Sequence, residues 1–191
     1  MVNREQALEI LHKHTRNENL RRHALAVEAA MEALAWHFGV VGDETRKWKI
    51  VGLLHDADYE ETKDDATQHG LKTVEWLEFA GETEQEIMDA ISAHNYNHNS
   101  SSAPSNKMAW SVYSCDELTG FIVAVALVRP EKKLASVTVD NVLKKLSEKS
   151  FAAAVDREQI KMCEEKLEIK LPDFVEIVLQ SMQNIDKELG L

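Results

Sequence analysis

Cysteine, proline and glycine are all scarce in this chain, at 2, 3 and 7 of 191 residues. Two cysteines cannot build a disulfide framework, so the expectation is a reducing, cytoplasmic setting. With so few turn formers, and no alternation bounded by hairpin signals, a β-sheet architecture is not expected. Long apolar runs are missing too: the longest, residues 121–128 (FIVAVALV), is far too short to span a bilayer. Met1 leads into Val-Asn-Arg-Glu-Gln, which lacks the basic and then apolar pattern of a secretion signal. Positive charge is in deficit, with 22 basic side chains against 33 acidic ones and a formal net charge of −11. That balance argues against polymeric nucleic acid or an anionic membrane as partner, since both need a positive field.

Histidine is absent from the last 93 residues, because all eight lie within residues 1–98. The acidic excess follows the same divide: 12 basic and 21 acidic groups in residues 1–130, against 10 and 12 in residues 131–191. The chemistry is therefore expected in a catalytic domain of residues 1–130, with 131–191 a helical extension packed on it.

What is present is helical periodicity nearly throughout. Helices are predicted over 4–13, from the Thr15 cap to about 38, 44–56, 65–79, 83–93 and 107–128, then around 139–148, 156–167 and 173–189. Thr15 with Glu18, Asp65 with Gln68 and Thr83 with Glu86 have capping-box spacing, and Asp43 stands where a cap is wanted. Residues 59–65 (YEETKDD) and 95–106 (NYNHNSSSAPSN) read as polar loops. The fold class is all-α.

On those helices, His23, His55, His69, His94 and Asp116 fall at inward-facing positions, and Asp56 follows His55 directly, giving six metal-competent side chains on five helices. An ionised Asp in an apolar interior is costly unless paired or metal-bound, and neither Asp has an Arg or Lys at helical spacing inside the core. A divalent cation supplies the missing charge, and imidazole with carboxylate is a common mixed ligand set. Zinc-type CxxC and HExxH patterns are missing.

His23, the doublet His55-Asp56 in GLLHDADYE and Asp116 in SCDELTG resemble the H…HD…D signature of the HD-domain metal-dependent phosphohydrolases. With His69 and His94 between doublet and final Asp, the order H–HD–H–H–D resembles the two-metal branch. The resemblance implies an HD-like helical bundle in which His23, His55, Asp56 and Asp116 hold one divalent ion. Asp56 would bridge to a second ion held by His69 and His94, the ions being Mn, Fe, Ni, Co, Zn or Mg. Two such ions beside two carboxylates leave a local charge of about +2, suited to a phosphate. Asp56 and His94 are the expected catalytic residues. Arg22, Lys63 and His98 are the expected substrate contacts, and the substrate a small phosphorylated compound such as a nucleotide. No GYP motif occurs and Ala-Asp-Tyr follows the doublet, which points away from cyclic dinucleotides.

Two other readings stay open: a non-catalytic metal- and nucleotide-binding module, and a di-iron oxygenase of the HD-like class. Homo-oligomerisation is open as well. The remaining polar residues take blander readings. His12 and His14 read as a solvated helix end, His37 as structural, the Trp and Met residues as core, and Cys115 as a buried inert thiol.

Overall fold

A computed structural model describes residues 2–191. It contains twelve α-helices and one 3-10 turn, with no strand among the described residues. The helices are α1 (Arg4–His14), α2 (Glu18–His37), α3 (Asp43–Leu54), α4 (Tyr59–Thr62), α5 (Leu71–Phe79), α6 (Gln85–Ala93), α7 (Tyr96–Asn99) and α8 (Lys107–Leu127). After the 3-10 turn Leu134–Ser136 come α9 (Val139–Ser147), α10 (Arg157–Lys166), α11 (Leu171–Gln183) and α12 (Asp186–Leu189).

Helices α2 and α8 form the middle of the molecule. Helix α3 packs along α2, α6 lies against α3 and α8, and α11 rests on both α2 and α8. From the 131–191 segment, α10 covers α8 and α12 covers α2. Ile160, Phe174, Val178 and Met182 of that segment join the same buried cluster as Val27, Met31, Leu54 and Phe121. The apolar run of α8 extends into a 21-residue helix that holds an 18-residue window of mean hydropathy 1.2, long and apolar enough by composition to cross a membrane. Here that surface is spent on the core: Val112, Cys115, Leu118, Phe121, Ile122 and Val125 are all buried.

Close approach of α3 to α2 depends on Gly52. A Cβ there would stand 2.7 Å from the Val27 carbonyl oxygen and 2.9 Å from the Glu28 Cα, backbone atoms that cannot swing away. Glu28, itself buried, takes two hydrogen bonds from Arg4 (2.6 and 2.8 Å), which ties α1 to α2.

The helix bodies lie where periodicity places them, but several caps do not. Asn17, not Thr15, caps α2 through the Asn19 amide; Thr15 instead ends α1 and donates to the Ala57 carbonyl. Gly42 rather than Asp43 precedes α3. Helix α5 begins only at Leu71, because Asp65 closes a local turn on Thr67, and Gly70, at φ +84°, redirects the chain. Glu84 precedes α6 without a side-chain cap, since Glu82 satisfies the Thr83 and Glu84 amides. Both polar loops hold one helical turn, α4 and α7. The last predicted helix breaks after Gln183, and Pro172 occupies the first turn of α11.

Candidate metal centre

Only His23 (on α2) and Asp116 (on α8) project from helix bodies. His55 and His94 are the C-cap residues of α3 and α6, Asp56 lies in the turn after α3, and His69 in the turn before α5. The expectation of five helices thus becomes two helix bodies, two helix C-caps and two turns. Helix ends converge here because α3 and α6 both run their last turns against the α2–α8 pair.

The six side chains meet. His23 Nε2 lies 2.9 Å from Asp116 Oδ1, and His55 Nε2 lies 3.4 Å from the same oxygen. Asp56 Oδ2 faces His23 at 3.6 Å, while its Oδ1 faces His69 at 3.1 Å, His94 at 3.4 Å and His55 at 3.6 Å. Two ligand groups result, His23–His55–Asp56–Asp116 and Asp56–His69–His94, each with its donor atoms within 4.8 Å of one another. Asp56 belongs to both.

Every imidazole is held through its other nitrogen. His55 Nδ1 donates to the Gly52 carbonyl (2.9 Å) and His94 Nδ1 to the Ile91 carbonyl (2.5 Å). His69 Nδ1 donates to Asp58 (2.7 Å). The Thr119 hydroxyl gives its proton to the Asp116 carbonyl, so its oxygen is free to accept from His23 Nδ1 at 3.3 Å. All four Nε2 lone pairs therefore point inward, as required of neutral imidazole ligands. The Nε2 atoms of His69 and His94 stand 3.0 Å apart, and the fully buried His55 Nε2 has no hydrogen-bond partner. Four inward nitrogens this close together, beside two carboxylates, form a donor set suited to cations. These residues fit a divalent ion.

The electrostatics agree. Burial opposes ionisation of Asp56, yet His55, His69 and His94 hold it well below the usual carboxylate range. Asp116 is likewise lowered against its burial by His23 and His55. Burial pulls the His55 imidazolium down, but Asp56 and Asp116 push it up to about 9. His69, opposed by burial in the same way, is raised to about 10 by Asp56 and Asp58. Among the described residues the ion-pair partners of the Asp56 and Asp116 carboxylates within 4.0 Å are all histidines. The sequence-based expectation that no Arg or Lys serves them holds.

Of the expected substrate contacts, Arg22 lines a cavity together with His23. Lys63 and His98 are exposed on α4's C-terminal side and on α7, with no polar contact to the cluster among the described residues. Exposure grades across the centre: the His55 and His94 side chains are 0% and 3% exposed, those of His23 and Asp116 both 20%. The centre opens at the His23–Asp116 end.

Asp58 is a supporting residue that the sequence reading did not single out. It is buried, and its carboxylate takes the His69 imidazole N–H and the Gly70 and Thr73 amides (2.8 and 3.1 Å). Asn95 and Asn99 grip the same turn by donating to the His69 carbonyl. The signal was available as an HDxD spacing, with a second acid two residues past the doublet. His14 is no solvated end: it pairs with Glu61 at 3.0 Å and stacks on Trp76 at 3.5 Å between ring centroids. Trp36 is 60% exposed, against the core reading. Cys115 is buried, and burial with Asp116 nearby pushes its thiol far up. It is inert.

No protein-family model matches the chain, and no curated protein matches it. The site stands on its geometry.

Proposed function

We propose that this protein is a metal-dependent phosphohydrolase of the HD type. It would cleave a phosphomonoester or phosphodiester of a nucleotide or similar small metabolite. The observation that carries this reading is the sharing of Asp56 between two ligand groups, one oxygen toward His23 and the other toward His69 and His94. When bound, a pair of divalent ions supplies Lewis acidity that offsets phosphoryl charge and activates water as a nucleophile.

The chain's own residues do the rest. Asp56 fixes the spacing of the two groups, and His94, buried and pinned through Nδ1, keeps its place without reorganisation. Arg22 stands at the open end, where a guanidinium can take two phosphate oxygens at once. Asp58 holds the His69 ring, and the buried flank of His55 and His94 keeps bulk water to one side.

The test is metal analysis of the purified chain, followed by hydrolysis of a panel of phosphorylated compounds with Mn, Fe, Co, Ni or Mg added. Asp56→Ala should abolish both metal retention and turnover. Metal and nucleotide binding with no hydrolysis across the panel would mark a binding module. Oxygen consumption on an unphosphorylated substrate would mark an oxygenase.

A further inference from the structure

A cavity of about 430 Å³ adjoins the open end of the metal centre. That volume is in the range of small-molecule sites. One wall is a stripe of α8 made by Gly120, Val123 and Leu127; the ligand Asp116 lies one helical turn before Gly120, just outside the lining. Opposite lie Arg22 and His23 of α2, and Leu189 and Leu191 of the 131–191 segment close the third side. His23 is common to the cavity and to the metal ligands.

Three features show a space kept open. Gly120 sits inside a 21-residue helix, where it weakens the helix relative to alanine, and a Cβ built on it would meet no heavy atom within 4 Å. Leu127, at the same wall, is 49% exposed. Arg22 makes no ion pair or side-chain hydrogen bond among the described residues, whereas its neighbour Arg21 is tied to Glu18 and the Thr15 carbonyl. The Arg22 guanidinium instead lies flat beside Gly190, where an added Cβ would come within 3.3 Å of it.

We infer that this slot between α2 and α8 is the subsite for the organic half of the substrate, and that it takes a compact, flat, largely apolar ring. The inference rests on the phosphohydrolase reading, which puts the phosphate at the His23–Asp116 end. An ester seated there directs its other half along the α8 stripe, onto Gly120 and Val123. A sugar phosphate would set most of its hydroxyls against Val123, Leu127, Leu189 and Leu191, which offer no side-chain hydrogen bonds, with only Asn19 and Arg22 of the lining able to serve any. A plain arene joined to the phosphate avoids that cost, whereas a nucleobase reaches the slot only with its ribose placed between the phosphate and the apolar stretch.

The experiment uses phosphonates, which are not hydrolysed, on the full chain loaded with Mn, and reads binding by calorimetry. Phenylphosphonate should bind at least ten-fold more tightly than methylphosphonate. Gly120→Phe should erase that difference while leaving methylphosphonate affinity, metal content and thermal stability in place. Should Gly120→Phe fail to fold, Gly120→Ala should narrow the preference about threefold and raise the melting temperature. A nucleoside phosphonate run alongside separates the two ring sources, since the tighter ligand identifies the ring. Equal affinity for phenyl- and methylphosphonate in the wild type overturns the inference, as does a preference that is undiminished in folded Gly120 variants. A ring preference without hydrolysis of any ester in the panel would sink the catalytic reading and leave the subsite standing.

Discussion

Substituting Asp58 isolates the support of the metal centre from its ligands. Its carboxylate accepts three hydrogen bonds in a fully buried position, from His69 Nδ1 and from the amides of Gly70 and Thr73. Asp58→Ala would leave three buried donors unpaired, at about 1–3 kcal/mol each. The sum rivals the whole stability of a typical domain, about 5–15 kcal/mol, so that variant is expected to express poorly. Asp58→Asn is the informative change. Its amide oxygen can still accept, but its NH2 must face one of the three donors. The expected loss is about 2–4 kcal/mol, from weakened charge-assisted bonds and one unpaired donor. His69 also loses the acceptor that fixes its tautomer, and such outer partners typically set about 10–100-fold in metal affinity. Urea unfolding in chelator gives the first quantity, and Mn titration against a competing chelator gives the second. Two-metal stoichiometry at wild-type affinity in Asp58→Asn would refute the claim that this carboxylate orients His69.

Metal loading at pH 7 should release about two protons, because His55 and His69, raised to about 9 and about 10 without an ion, must deprotonate to ligate. Calorimetry in buffers of different ionisation enthalpy counts them, and a count near zero contradicts the geometry. These folded-state values lie above the ordinary 6.5, so the pairing stabilises the ion-free protein fully below about pH 6.5 and fades as pH rises through 9 to 10. Melting curves with and without Mn should diverge over that window. Gly52→Ala should cost about 3 kcal/mol or more, because the new Cβ meets the α2 backbone at 2.7 Å; a stability change under 1 kcal/mol would show that α3 can shift freely. Glu82 is opposed in ionising by its burial but lowered overall by the amides of Glu84, Val2 and Thr83. Its contribution is present above about pH 4.5 and lost as pH falls through its depressed value, so Glu82→Gln should flatten the acid limb of the stability profile.

The all-α class and most helix bodies were legible because the apolar period is strong and Gly and Pro are few. So were the six metal-competent side chains, since a buried acid without a basic partner demands a cation. The caps were less legible. Thr15–Glu18 and Thr83–Glu86 satisfy the capping-box spacing, but Asn17 lies two residues closer to α2 and Glu82 takes the Thr83 and Glu84 amides. A local rule cannot see such competitors. Asp58 was missed for the same reason, because its value lies in donors 11 to 15 residues away. The α2–α8 cavity was invisible in sequence: Gly120 reads as an unhelpful residue in a good helix until α2 and residues 189–191 are placed around it.

The placement of ligands at helix ends follows from the same physics. The last carbonyls of a helix have no backbone donor, so they are available to side chains. His55 and His94 each use one, three residues back, at Gly52 and Ile91. One contact thus fixes the ring, selects the Nδ1–H tautomer and relieves an unpaired acceptor. The helix C-terminus also carries partial negative charge, about half an electron. Helices α3 and α6 both aim that end at the cluster, adding to the field of Asp56 and Asp116. A cation there is favoured by groups that belong to the fold and cost no further acidic side chain, while His23 and Asp116, on rigid helix bodies, set the open face. The histidines that end α3 and α6 are thus placed by the backbone that precedes them, and a His at a helix C-cap followed by Asp or Asn is the local pattern that announces it.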